Sequence, residues 1–137
     1  MFTVDLRDIE LDRRNEREAQ LMNVIRETAQ QHHLQYSITE DTNSEPRYCA
    51  EHIKEKMRLG AAKIGITPHE LMSGPFHDSL SMSYVCDYGM IFVRCKNGIS
   101  HNPAEYSSTE DIVLGTELLY QTTIEMITSG ITHQKVV

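Results

Sequence analysis

Met90-Ile91-Phe92-Val93, running on to Gly98-Ile99-Ser100-His101-Asn102-Pro103-Ala104-Glu105, is the stretch on which the fold reading turns. Four consecutive apolar residues have the length and composition of a strand buried on both faces. The polar and glycine-bearing run from Lys96 to Ser107 is then a loop at the strand's end, where α/β proteins place functional loops. Ser108 and Asp111 have capping-box spacing, so a helix starts there. Its apolar stripe is expected through Ile112, Leu119 and Met126, and the tail after Gly130 is expected to fray.

Working back along the chain, Cys49, Ile53, Met57, Ala61 and Ile64 mark one face of a helix closed by Gly65. A short helical turn is expected over residues 68–72. The run Asp41-Thr42-Asn43-Ser44-Glu45-Pro46 is dense in turn formers and reads as a domain boundary. At the start, Phe2, Val4 and Leu6 alternate with polar residues, the period of a half-buried strand, which puts Arg7 on the polar face. Asp12 is expected to cap a helix over about residues 12 to 32, carrying Met22, Ile25 and Ala29 on one side. Tyr36 and Ile38 alternate again. Strand, helix, strand favours a right-handed crossover, so the expected class is α/β (α+β by segment), in two parts, 1–47 and 48–137.

The 137 residues, 39% hydrophobic and 24% charged, suit a soluble globular chain long enough to bury a core. A net charge of −7 argues against a general nucleic-acid binder, which needs a basic face. No apolar run spans a bilayer, and the opening MFTVDLRDIELDRR carries acids where a signal peptide carries its basic segment, so a cytoplasmic location is expected. Cys49, Cys86 and Cys95 are odd in number without a CxxC pair, and are read as small core residues of a reduced protein.

Three residues are candidates for chemistry. His101 lies in the loop after the expected strand, where a neutral imidazole can give a lone pair to a metal, beside the stiffening Pro103. A solvated loop histidine is the plainer alternative, since no HxH or HxxxH spacing supplies companions. His77 lies in Ser73-Gly74-Pro75-Phe76-His77-Asp78-Ser79, where a turn opens into a helix. It either donates a hydrogen bond to a developing oxyanion or packs over a helix capped by Asp78. Arg7 can hold a carboxylate by two parallel hydrogen bonds, or pair with Asp5 or Asp8. His32 and His33 sit near a helix end, where a structural role is expected.

Taken in order, Phe-Thr-Val-Asp-Leu-Arg, Asn43-Ser-Glu-Pro-Arg-Tyr-Cys49, Ser-Gly-Pro-Phe-His-Asp-Ser, Met90-Ile-Phe-Val93 and Gly-Ile-Ser-His-Asn-Pro-Ala-Glu-Tyr resemble the last part of one enzyme branch. It is the branch of N-carbamoyl-L-amino-acid hydrolases, allantoate amidohydrolases and β-ureidopropionases within the aminoacylase-carboxypeptidase di-zinc metallohydrolases. The resemblance implies that residues 1–47 are the second half of a ferredoxin-like lid and dimerisation domain. Residues 48–137 would be the C-terminal part of a zinc-peptidase-like α/β catalytic domain. By position it makes His101 the last metal ligand, Arg7 the substrate-carboxylate binder, and His77 the histidine of the branch's Gly-His-Asp motif, lining the site. Phe76 stands where that motif has a glycine, which alters the close backbone approach that glycine permits.

The resemblance further implies two divalent ions, zinc or manganese, in the complete enzyme, with the remaining ligands and the general-base glutamate upstream of this segment. The expectation is therefore a truncated amidohydrolase that acts on linear C–N bonds by ancestry but is inactive alone and holds no metal stably. The complete enzyme's partner would be a small carboxylate substrate, with no nucleic acid and no membrane. The alternative is a non-catalytic assembly module, a homodimer or one half of a split enzyme, because strands without neighbours expose edges that pair with another chain.

Overall fold

The computed structural model describes residues 1–130; the fraying expected beyond Gly130 lies outside them. The chain divides into two compact units, Met1–Arg47 and Tyr48–Val137.

The first unit is built around α1, Leu11–Gln31. Leu11, Arg14, Glu18, Leu21, Met22, Ile25 and Ala29 are its less exposed positions, a run of three- and four-residue steps that gives one helix face. The helix begins one residue before the expected cap. Glu10 is the N-cap and Asp12 sits in the first turn, where its charge meets the positive helix end. Asp8 does the local work instead, accepting from the Glu10 amide at 2.9 Å and gripping Arg13 at 2.5 and 2.6 Å. Arg14 reaches across to the Ser44 carbonyl (2.5 Å) and the Asn43 side chain (2.9 Å), which fastens the far end of the unit to the helix. The helix ends in a left-handed residue, His33 at φ 52°, with the Leu34 amide returning to the Ala29 carbonyl at 2.9 Å.

In the second unit, α2 (Glu51–Lys63) packs on α4 (Thr109–Thr128), with the one-turn helix α3 (Asp78–Met82) between them in sequence. Gly60 and Ala61 are buried at the crossing, against Leu118 and Thr122 of the same unit's core. A Cβ on Gly60 would stand 3.0 Å from the Thr122 backbone nitrogen, so the two backbones come close only because no side chain intervenes. Lys63 pairs with Glu125 at 2.5 Å, and Lys56 donates to the Ser129 hydroxyl at 2.7 Å along the same seam. The end of α2 is the stop that Gly65 predicts. With φ at 71°, it lets its own amide bond to the Ala62 carbonyl and the Ile66 amide to the Ala61 carbonyl. No helical turn forms over residues 68–72.

The buried face of α4 is rotated from the one expected. Leu118 and Thr122 are inside, Gly115 lies against the Val93 side chain, and Ile112 and Leu119 are exposed. Thr122 enters the core because its hydroxyl returns to the Leu118 carbonyl at 2.7 Å. The N-terminus is the capped one that Ser108 predicts: its Oγ accepts from the Asp111 amide at 3.1 Å. The Asp111 carboxylate does not complete the box. It accepts the Ser108 hydroxyl and pairs with Arg94 at 2.5 Å.

Among the described residues every regular element is helical. Phe2, Val4, Leu6, Tyr36 and Ile38 are exposed. Met90 and Ile91 are half-buried, with Phe92 and Val93 exposed, so the two-sided burial expected of that run is absent within this unit. Strand geometry is stabilised by a hydrogen-bonded neighbour, and an apolar run without one has no ladder to join. Of the cysteines, Cys49 and Cys95 are half-buried but Cys86 is exposed, which corrects its reading as a core residue. No helix among the described residues is long and apolar enough to cross a membrane.

Candidate functional site

His101 owes its position to a loop that bonds to itself. The Lys96 amide donates to the Tyr106 carbonyl at 2.8 Å and closes the loop's two ends. Within it, Asn102 through Glu105 form a β-turn, with the Glu105 amide on the Asn102 carbonyl at 2.9 Å. This is the turn that Asn followed by Pro prescribes. Pro103 presets φ at the second position, and the Asn102 side chain accepts from the Ala104 amide at 3.0 Å. Immediately before the turn, His101 has φ 57°, a left-handed conformation uncommon for a residue with a Cβ.

Two contacts hold His101 there. Its backbone N–H donates to Glu105 Oε2 at 2.7 Å, and its ring Nδ1 lies 2.8 Å from the Ser100 hydroxyl. The tautomer in which Nδ1 donates to Ser100 puts the lone pair on Nε2, which has no hydrogen bond among the described residues. The ring is exposed.

His77 is the N-cap position of α3, with its carbonyl accepting from the Leu80 amide at 2.9 Å and its side chain turned away from capping. Asp78, expected as the cap, is the first helical residue. The His77 ring bonds through Nε2 to Ser73 Oγ at 2.7 Å, and that hydroxyl donates on to the Pro75 carbonyl at 3.1 Å. Its other neighbours are aromatic. Phe92 meets it edge to face with centroids 6.1 Å apart, and His101 does so at 5.2 Å. Two histidines from separate loops are thus brought ring to ring.

The loop that leads to Ser73 is tied back to α2 by charge. Glu70 pairs with Lys54 at 3.0 Å and with Arg58, and both cations also hold Glu51. The hydrogen bonds from Arg58 and then Lys54 lower the Glu70 carboxyl, and the bonds from Glu70 and then Glu51 raise Arg58. Each pair is exposed and worth little alone; a four-charge network restrains the loop better than one pair does.

Arg7, in the first unit, grips Asp5 through both arms of its fork, Nε to Oδ1 at 2.7 Å and Nη2 to Oδ2 at 2.5 Å. The bond raises Arg7 and lowers Asp5. Both side chains are exposed, so the fork is in two-point carboxylate geometry with a carboxylate of its own chain in it.

Sequence reasoning missed two residues of this site. Glu105 folds back onto the His101 amide, and Ser100 orients the His101 ring. Asn102-Pro103 marked the turn, but a side chain bonding a backbone amide four residues earlier leaves no periodic signature.

No family model matches the chain. Individual proteins do. It is 35% identical over 126 residues to an N-carbamoyl-L-amino-acid amidohydrolase of Pseudomonas sp. (strain NS671), covering 92% of this chain and 30% of that protein. It is 32% identical over 121 residues to the N-carbamoyl-L-amino acid amidohydrolase of Geobacillus stearothermophilus, covering 88% of this chain and 30% of the relative. A ureidoglycolate hydrolase of Arabidopsis thaliana is 32% identical over 117 residues, 85% of this chain and 25% of the plant protein. The chain is a homologue of this amidohydrolase branch. It spans about 30% of the length of the two bacterial amidohydrolases.

An amidohydrolase metal centre can be tested against these donors. His101 suits one ligand position: an exposed ring, its Nδ1 bonded to a hydroxyl and its Nε2 open, is the arrangement in which an outer partner sets the tautomer of a metal-bound histidine. A zinc site takes three or four donors, and no group of three His, Cys, Asp or Glu converges among the described residues. Of the two rings in contact, His77 already spends its Nε2 on Ser73. His101 fits as one donor of a larger set.

Proposed function

We propose that this chain supplies part of the active site of a metal-dependent amidohydrolase that cleaves a linear amide C–N bond. In this reading His101 is a metal ligand, Arg7 binds the substrate carboxylate, and His77 lines the site against the His101 ring, its Nε2–H given to Ser73. The observation that carries it is the state of His101, a left-handed, loop-braced imidazole with Nδ1 on Ser100 and its ring against His77. Homology to amidohydrolases supports the same conclusion.

N-carbamoyl amino acids and ureidoglycolate have a common part, a ureido group on a carbon that also bears a carboxylate. A guanidinium fork recognises such a carboxylate. Two divalent ions, zinc or manganese, supply when bound the Lewis acidity and the activated water of this hydrolysis. The described residues offer that pair one ligand, so the chain alone is expected to hold no metal pair and to turn nothing over.

In the same proposal residues 1–47 are half of a ferredoxin-like lid and 48–137 part of an α/β catalytic domain, working in the cytoplasm. Phe2–Leu6 and Met90–Val93 become strands when neighbouring edges are supplied. A second reading, an assembly module that pairs with another copy or a complementing polypeptide, is favoured by the exposure of Phe2, Val4, Leu119 and Ile127.

The test is to assay N-carbamoyl-L-amino acids and ureidoglycolate with manganese or zinc. The chain is used alone and mixed with the part of the Geobacillus relative that it does not match. Turnover only in the mixture supports the proposal. Dimerisation with no turnover in the mixture supports the assembly reading.

A further inference from the structure

The left-handed backbone of His101 needs a cause. Steric crowding of the Cβ disfavours φ near 57° in any residue but glycine, and such a conformation persists only where its surroundings hold it. Pro103 and the Asn102 turn fix the residues after His101 but make no bond to it. The Ser100 hydroxyl touches only the ring. What grips the backbone is Glu105. Its carboxylate takes the His101 N–H at 2.7 Å, a bond strengthened by the negative charge of the acceptor. The carboxylate is well placed for this because the Glu105 amide is itself bonded to the Asn102 carbonyl at 2.9 Å, so the turn delivers the side chain back over its own start.

We propose that Glu105 is a positioning residue: by holding the His101 amide it fixes the left-handed turn that aims the His101 imidazole at His77. Without that acceptor, φ of His101 relaxes to the ordinary negative region and the Cα–Cβ bond swings, carrying the ring out of edge contact with His77. The consequence for metal binding rests on the ligand role of His101 given above; the conformational role does not.

The experiment uses the full 137-residue chain and three variants, Glu105→Ala, Glu105→Gln and Glu105→Asp. Three NMR readouts apply. The intraresidue amide-to-Hα NOE of His101 is strong only for positive φ. The ring-to-ring NOE between His77 and His101 reports the contact. The His101 ring resonances are also followed during titration with Zn²⁺ alone. Gln keeps an amide oxygen at the right reach and is expected to retain both NOEs. Ala has no acceptor and Asp is a methylene too short; both are expected to lose both NOEs. The apparent Zn²⁺ affinity at His101 should fall about tenfold in Ala and Asp, at the lower end of what loss of an outer-shell partner costs. Resonances of α2 and α4 serve as the folding control, and Asp is read in place of Ala if Ala disturbs them.

Retention of both NOEs in Ala or Asp overturns the proposal, as does their loss in Gln. NOEs that follow the acceptor uphold the positioning role whether or not Zn²⁺ shifts His101 in the chain alone, where one ligand is expected to hold metal weakly; failure of the metal-ligand reading is read separately, in the reconstituted enzyme.

Discussion

The imidazoles of His77 and His101 meet edge to face, with centroids 5.2 Å apart and planes at 66°. One ring stands at the start of α3 and the other in the loop before α4, each braced by a serine hydroxyl, Ser73 and Ser100. The contact joins the two loops that the sequence marks as unusual, and Phe92 also meets the His77 ring edge to face.

Replacing His77 with alanine should therefore act on His101 first. The ring of His101 loses its neighbour, and its proton resonances should shift by the ring-current difference while those of Gly60 and Thr122 at the α2–α4 crossing stay put. In a reconstituted enzyme His77→Ala should lower kcat by about 10–100-fold, the usual effect of losing a neighbour that orients a metal ligand, with the metal requirement intact. An unchanged kcat would assign His77 to packing alone.

The crossing of α2 and α4 makes a prediction about stability. Gly60→Ala improves helix propensity by up to about 1 kcal/mol. The new Cβ, however, would meet backbone at 3.0 and 3.2 Å, atoms that cannot rotate aside. Overpacking of this kind costs about 1–3 kcal/mol, so the variant should be the less stable in urea unfolding. An increase in midpoint would show that the helices can slide apart freely.

Acid titration tests the start of α1. Asp8 is held down to about 2, first by the Arg13 hydrogen bond and then by the Glu10 amide. A carboxyl lowered on folding stabilises the folded state while it is ionised in both states, above its ordinary value of 3.8. That contribution fades as pH falls toward and through 2. Asp8→Asn should lower helicity of α1 at neutral pH and flatten its dependence between about pH 4 and 2. The measurement is circular dichroism or amide shifts of α1 against pH. Parallel curves for both proteins would mean that Asp8 does not hold the helix.

Much of this was legible in the sequence, and particular residues say why. Apolar spacing located α1 to within a residue at each end, Gly65 marked where α2 stops, and Ser108 marked where α4 begins. These are local rules in which a few neighbouring residues decide the outcome. The α4 stripe was misread because Ile112 and Leu119 satisfy a helical period as well as Leu118 does. Only the partner, here Gly60 and Ala61, chooses the face that is buried. Phe2–Leu6 and Met90–Val93 have the patterns expected of strands, yet no strand forms among the described residues, since a ladder needs a neighbouring edge that a local pattern does not supply. His77 and His101 were legible as residues and their meeting was not; Glu105 was missed because its bond runs from side chain to backbone.

If His101 serves a metal, the other ligands must be supplied by residues beyond those described. The most direct measurement is metal-dependent hydrolysis of an N-carbamoyl-L-amino acid by a mixture of the chain with the unmatched part of the Geobacillus relative. Chain and His101→Ala variant are run side by side. Turnover in the mixture with the unaltered chain is expected, and it should require added manganese or zinc. The loss in His101→Ala should exceed the roughly 10–100-fold typical of removing a partner of a metal ligand, and the chain alone should show no turnover. Equal turnover with His101→Ala, or turnover by the purified chain alone, would contradict this reading.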